Sequence, residues 1–159
     1  MSGRRRRPET REETIARLAP QAEDRAEPAC GHAAYCGGCA WQMIAYRRQL
    51  EIKRAFVADC YRGAGLAFEV PEVTPSPDLY AYRNRMEFSF SAKRWLTPEE
   101  IGSGETFDRS FALGLHPPGT FQRVLDINRC ELIDDVGNRT LDAVRRIARA
   151  TGRAAWDPF

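Results

Sequence analysis

From residue 82 to residue 92 the side chains alternate without a break. Tyr82, Asn84, Met86, Phe88, Phe90 and Ala92 fall on one side, and Arg83, Arg85, Glu87, Ser89 and Ser91 fall on the other. A period of two predicts a strand with one buried and one wet, polar face. Tyr82, Phe88 and Phe90 are therefore expected in the core. Residues 111–116 and 121–127 flank Pro117-Pro118-Gly119-Thr120, the pattern of a hairpin with a four-residue loop. Residues 68–73 predict a further short strand, closed by the turn-rich Thr74-Pro75-Ser76-Pro77-Asp78. The period is helical elsewhere. Trp41, Ile44, Ala45, Arg48, Ile52, Ala55 and Phe56 predict a helix over 40–61, stopped by Gly63 and Gly65. Leu141, Val144, Ile147 and Ala148 predict one face of a helix over 135–151, ended by Gly152. Residues 96–108, with Pro98, Gly102 and Gly104, read as a loop. The expected fold class is α+β, with a cysteine loop and helix packed on a mainly antiparallel sheet.

Residues 1–29 read as a disordered, Arg-rich tail, from the block Arg4-Arg5-Arg6-Arg7 and the scarcity of large apolar residues; Ile15 and Leu18 offer one weak helical turn. Residues 30–65 would form the cysteine loop and helix, and residues 66–159 a central α+β domain. The apolar end with Trp156 and Phe159 looks interrupted, so a truncation at Phe159 is expected. No run of 18 apolar residues exists, which excludes a membrane-spanning helix. No apolar segment follows the N-terminal arginines, so the expected compartment is the cytosol. A monomer with no membrane partner is expected. The net charge of +2 is uneven: residues 30–95 carry nine basic residues against six acidic ones. Of the 24 basic residues 22 are Arg. Arg suits phosphate and base edges, but codon bias is the simpler cause, and charge alone does not establish nucleic-acid binding.

Five cysteines without an export signal point to metal rather than to disulfides. Cys30, Cys36 and Cys39 have the spacing C-x5-C-x2-C, and Gly37-Gly38 permits a sharp bend between the last two. Thiolate is the ligand form, and three thiolates this close repel one another unless a cation holds them. Zinc sites usually show two separated C-x2-C pairs. A triplet with one distant partner is closer to iron–sulfur ligation. The spacing favours iron–sulfur, leaving zinc and a metal-free loop as alternatives. Cys130, closing a strand, and Cys60, near the end of the first helix, are the candidates for a fourth ligand. Cys60 reads better as a small buried hydrophobe. His32 reads as a solvent-facing loop residue before a ligand, and His116 as a surface histidine. Trp41 and Tyr46 read as helix packing, although either is placed to cover the metal site.

The run Cys30-x5-Cys36-Gly37-Gly38-Cys39-Ala40-Trp41-Gln42, with Tyr46, Gln49, Leu50 and Lys53, resembles the iron–sulfur segment of the RNA uracil-C5 methyltransferases that act on 23S ribosomal RNA. Tyr82-Arg83-Asn84-Arg85-Met86-Glu87-Phe88-Ser89-Phe90 resembles that family's central-domain strand. Leu113-Gly114-Leu115-His116, then Val124-Leu125-Asp126-Ile127 and Cys130, resembles its next strands and fourth cluster cysteine. The resemblance covers residues 30–135. It implies a [4Fe-4S] cluster held by Cys30, Cys36, Cys39 and Cys130, serving folding and RNA contact. It implies RNA, 23S ribosomal RNA in particular, as partner and S-adenosylmethionine as methyl donor of the full-length enzyme. There a cysteine thiolate adds to C6 of a flipped uridine, C5 takes the methyl group, and a base removes the C5 proton. The family's strand approaches the RNA, so Arg85 and then Arg83, two residues apart on the polar face, are the RNA-contact candidates. A cross-strand ion pair is the competing reading.

The family's glycine-rich cofactor loop and its Ser-Cys-Asn-Pro-like nucleophile motif have no counterpart here. Gly63-Ala64-Gly65 and Gly102-Ser103-Gly104 follow a helix end and a loop, the wrong context for a cofactor site. No catalytic or cofactor-binding residue is therefore assigned, and the chain alone is expected to be inactive. The 29-residue tail is too short for the β-barrel with which many relatives begin. The expected function is the cluster-bearing RNA-recognition portion of such a methyltransferase. The alternative is a free-standing RNA-binding module with a structural iron–sulfur or zinc site. An electron-transfer protein is a third reading, disfavoured by the long helix, hairpin and arginine-bearing strand.

Overall fold

The computed structural model describes residues 9–155. It divides into two units, Met1–Pro28 with Ala40–Ser76 and Ala29–Cys39 with Pro77–Phe159. The Arg4–Arg7 block, Trp156 and Phe159 lie outside the described residues.

In the first unit, residues 9–28 are not the disordered tail expected. Helix α1 spans Arg11–Leu18. Thr10 and Glu13 form a capping box: the Thr10 hydroxyl accepts the Glu13 N–H at 3.2 Å and the Glu13 carboxylate accepts the Thr10 N–H at 2.7 Å. Two orphan donors of the first turn are thereby satisfied. Beyond α1, Asp24 is buried and ion-pairs with Arg47 at 3.4 Å and Arg48 at 3.8 Å. Its carbonyl accepts the Ala45 N–H at 2.8 Å, and the Arg48 Nε donates to the Leu18 carbonyl at 2.9 Å. Polar bonds order the segment where apolar residues are scarce.

Helix α2 spans Tyr46–Gly63, six residues later than the apolar spacing predicts. Residues 41–44 form a turn instead, with Ile44 almost fully buried. The Gln49 side-chain amide donates to the carbonyls of Trp41 at 3.0 Å and Ile44 at 2.9 Å, which ties the turn to the helix start. Phe56, on the expected apolar face, is exposed. Cys60 is exposed too, so the reading of a small buried hydrophobe is corrected. Residues 68–73 do not form the expected strand. The segment is held by α2 side chains: Arg54 Nε donates to the Val70 carbonyl at 2.8 Å, and the Ser76 N–H donates to the Tyr46 hydroxyl at 2.7 Å.

The second unit holds a four-stranded mixed sheet of order β1-β3-β4-β2. The strands are β1 (Ser89–Ser91), β2 (Arg94–Trp95), β3 (Ala112–Leu115) and β4 (Val124–Asp126). Two pairings are antiparallel and β2–β4 is parallel. The expected hairpin is present as β3–β4, but its strands are shorter than expected and its connection runs over residues 116–123 instead of four residues. Gly114 is required there: a Cβ would stand 2.0 Å from the Leu125 carbonyl oxygen. The expected loop at 96–108 contains a short helix, α3 (Pro98–Gly102), with a Thr97/Glu100 capping box.

The strand expected over 82–92 is only three residues long within the sheet. Upstream of β1 the chain leaves it and follows residues 131–133, with Arg83 bridged to Ile133 and its N–H donating to the Leu132 carbonyl at 2.8 Å. The alternation holds in the middle, where Met86 and Phe88 pack on Cys130, Leu132 and Ile133. It fails at the ends: Tyr82 and Phe90 are exposed and line a groove of about 620 Å3 with Val136 and Val144.

Helix α4 spans Asp135–Ala150, capped by Asp134, whose carboxylate accepts the Gly137 N–H at 2.7 Å. Its inward face differs from the expected one. Leu141 is buried, while Val144 and Ile147 are exposed. Arg145 points inward, pairs with Asp126, and donates to the carbonyls of Leu113 at 3.0 Å and of Ile127. Among the described residues no helix is long and apolar enough to cross a membrane.

Candidate metal centre

Residues 30–39 form a tight loop. The Ala33 N–H donates to the Cys30 carbonyl at 3.0 Å, and the His32 carbonyl accepts the N–H groups of Tyr35 at 3.1 Å and Cys36 at 2.8 Å. The Gly37 N–H donates to the carbonyl of His116, just past β3, at 3.0 Å. The Tyr35 hydroxyl donates to Glu99 in α3 at 2.6 Å, and this bond holds the Glu99 carboxyl below its usual range.

Cys130 arrives from the other side, four residues past β4. Asn138, buried in the first turns of α4, holds it by both backbone groups. The Asn138 Oδ1 accepts the Cys130 N–H at 2.9 Å and its Nδ2 donates to the Cys130 carbonyl at 3.1 Å. Asn128 accepts from His32 Nε2 at 2.8 Å, which joins the loop of three cysteines to the segment that carries the fourth. Sequence reasoning missed Asn138 and Asn128. Asn138, three residues before Leu141, is a polar residue on an inward helix face and was the available signal.

Cys30, Cys36, Cys39 and Cys130 lie in one unit. Cys36 is buried against Leu125 and Ile127, with Tyr35, Trp95 and Leu115 around it. Cys39 packs on Cys130, Leu132 and Ile133. Burial pushes the Cys36 thiol up; the Gly38 N–H at 3.3 Å from its sulfur opposes this, and the nearby Cys39, Cys30 and Cys130 push it further up. Such a thiol surrenders its proton readily only to a cation that repays burial and mutual repulsion. Among the described residues no group of three or more His, Cys, Asp or Glu side chains stands close enough to hold a metal ion as the side chains are placed. Brought together, four thiols from two chain segments would make a soft donor set, of the kind that suits an iron–sulfur cluster or zinc and not calcium or magnesium.

The other expected residues fall elsewhere. Cys60 belongs to the first unit and is not among the cysteines that act on Cys36. His32 is half-buried and engaged with Asn128, not solvent-facing. His116 is half-buried as well, with Nδ1 donating to the Arg123 carbonyl at 3.0 Å. Arg85 pairs with Glu87, two residues on along the same face, and both side chains are largely exposed. The pair is local, not cross-strand, and exposed pairs of this kind add about 0–1 kcal/mol. Arg83 lies with its guanidinium carbon 6.0 Å from the Tyr82 ring centroid.

Fold and site together define an α+β module in which a loop of three cysteines docks beside the segment that carries Cys130. No protein-family model matches the chain. It is similar to curated proteins each named as an uncharacterized RNA methyltransferase. The relative in Bacteroides thetaiotaomicron is 44% identical over 127 residues, 78% of this chain and 28% of the relative. That in Chlorobaculum tepidum is 41% identical over 133 residues, 81% of this chain and 27% of the relative. That in Porphyromonas gingivalis is 41% identical over 128 residues, 77% of this chain and 26% of the relative. The chain thus matches about a quarter of the length of these relatives.

Proposed function

We infer that this chain is the metal-bearing, RNA-recognising portion of an RNA methyltransferase. The observation that carries the reading is the docking of the three-cysteine loop beside the Cys130 segment, through the His32–Asn128 bond and the packing of Cys39 on Cys130, in a chain whose relatives are named RNA methyltransferases. Cys30, Cys36, Cys39 and Cys130 would hold a [4Fe-4S] cluster, which when bound supplies a rigid cross-link between the two segments and no methyl chemistry. The chain's own groups prepare that site. Asn138 fixes the Cys130 backbone, the His32–Asn128 bond ties the segments together, and Gly37 anchors the loop on the end of β3. The finer assignment, to C5 of a uridine in 23S ribosomal RNA with S-adenosylmethionine as the methyl donor of the full-length enzyme, rests on the motif resemblance. Methyl transfer is not assigned to these 159 residues alone.

Protein purified without oxygen should be brown and carry iron and sulfide at about four each per chain. A colourless protein with stoichiometric zinc would overturn the cluster assignment. The exposed Arg85 is the first RNA contact to test. Arg85→Ala should lower the slope of log affinity against log salt by about one if it holds a phosphate. Its melting temperature should not change, because the Glu87 pair is exposed. A changed melting temperature with an unchanged slope would remove Arg85, and with it Arg83, from the interface.

A further inference from the structure

The turn between β3 and β4 presents a side chain that the fold does not use. Phe121 is 84% exposed, above Phe56 at 69% and every other exposed large apolar side chain of the described residues. Phe121 belongs to none of the hydrophobic clusters of the second unit. The turn that carries it is held in shape. Pro117 is buried, Gly119 takes a left-handed φ of 76°, and the Thr120 N–H donates to the Pro117 carbonyl at 3.2 Å. The His116 ring closes the base of the turn on the Arg123 carbonyl at 3.0 Å, and the His116 carbonyl is the group that receives Gly37 from the cysteine loop. A large aromatic side chain thus stands in water on a hydrogen-bonded turn next to the candidate metal centre.

Its neighbours indicate what it meets. Thr120, Gln122 and Arg123 surround it in sequence, and Gln122 and Arg123 are exposed. Arg123 has no ion-pair partner among the described residues. Protein-docking surfaces join several apolar side chains into a patch. A lone aromatic ring flanked by an amide and a guanidinium fits a different partner, an unstacked nucleobase with its phosphate. We propose that the β3–β4 turn is a single-stranded RNA contact in which Phe121 stacks on an unpaired base and Arg123 holds the adjoining phosphate. The proposal rests on the RNA-recognising role argued above and names the element that performs it.

The test uses the full chain and a single-stranded oligouridylate of about a dozen nucleotides, with one 2-aminopurine as a stacking reporter, against a blunt RNA duplex of equal length. Phe121→Leu keeps an apolar side chain and removes the π-face. It should weaken single-strand binding by about tenfold or more and relieve the quenching of 2-aminopurine. Phe121→Trp should keep both affinity and quenching. Arg123→Ala should lower the salt slope by about one. Duplex binding should not respond to Phe121→Leu, and none of the variants should alter the melting temperature, since both side chains are exposed. Equal single-strand affinity for Phe121→Leu and the parent overturns the stacking role while leaving the RNA reading intact. Failure of the parent to bind either RNA overturns the RNA reading itself, and this proposal with it.

Discussion

Serine in place of Cys36 or Cys130 should strip the protein of its iron and its brown colour, whereas serine in place of Cys60 should change neither. Cys36 and Cys130 are the two most buried cysteines, 6% and 7% exposed. Each is held by the fold: Cys36 by Leu125, Ile127 and the Gly38 N–H, Cys130 by both backbone bonds to Asn138. A serine oxygen at such a point is a hard donor and ionises far less readily than a thiol, so it is a poor ligand for a soft site. Protein backbone that fixed a sulfur cannot move to compensate. The iron content per chain should fall to less than half in either variant. Cys60 sits exposed on α2 and is not among the groups that act on Cys36. Iron retained in Cys36→Ser and Cys130→Ser but lost in Cys60→Ser would refute the assignment of the ligand set. Because metal binding contributes folding free energy, the first two variants should also melt lower than the parent purified with its metal, and at the same temperature as the parent after chelation.

The parts of this molecule that sequence pattern made legible are those in which local chemistry and tertiary need coincide. The Pro117-Pro118-Gly119-Thr120 turn marks the β3–β4 hairpin, although the connection extends over residues 116–123. The helix expected over 135–151 and ended by Gly152 matches α4 to within a residue at each end, Gly152 taking a φ of 64°. The cysteine spacing marked out the tight loop of the candidate site. Three features were hidden, each for a physical reason. Residues 9–28 are organised by a capping box and by Asp24 between two arginines, bonds that a search for apolar periodicity does not register. The strand at 82–92 has the right alternation but lacks a partner along most of its length. Only Ser89–Ser91 meets β3, and the rest turns to residues 131–133. In α4 the apolar stripe misled because the inward face is partly polar. Asn138 and Arg145 turn inward and donate to the backbone carbonyls of Cys130 and Leu113, and Val144 and Ile147 are left in water. A buried carbonyl outweighs a half-buried methyl group when the helix chooses its rotation.

Gly37→Ala should separate the metal site from the fold. The Gly37 N–H donates to the His116 carbonyl at 3.0 Å, and a Cβ at this position would stand 2.3 Å from that same oxygen. The obstacle is backbone at the end of a strand and cannot swing aside, so the cysteine loop must lift away. The lost hydrogen bond costs only about 1 kcal/mol, and the loop lies at the margin of the sheet. Metal-stripped Gly37→Ala should therefore melt within a few degrees of the metal-stripped parent. The ligand set is far less tolerant. Iron–sulfur and zinc sites need their sulfurs placed to within about 0.5 Å, and relieving the clash at Gly37 moves the neighbouring Cys36 by more than that. Iron content should fall to less than half. Gly114→Ala is the contrasting case. Its Cβ would meet the Leu125 carbonyl oxygen at 2.0 Å and the Ile127 nitrogen at 2.9 Å, in the middle of the β3–β4 pairing. There the clash is inside the sheet, and the cost should reach about 3 kcal/mol or more, lowering the melting temperature with or without metal. If Gly37→Ala holds its full complement of iron, the docking of the loop on β3 does not position the cysteines. If its metal-stripped form melts as low as Gly114→Ala, Gly37 is a residue of the fold and not of the site.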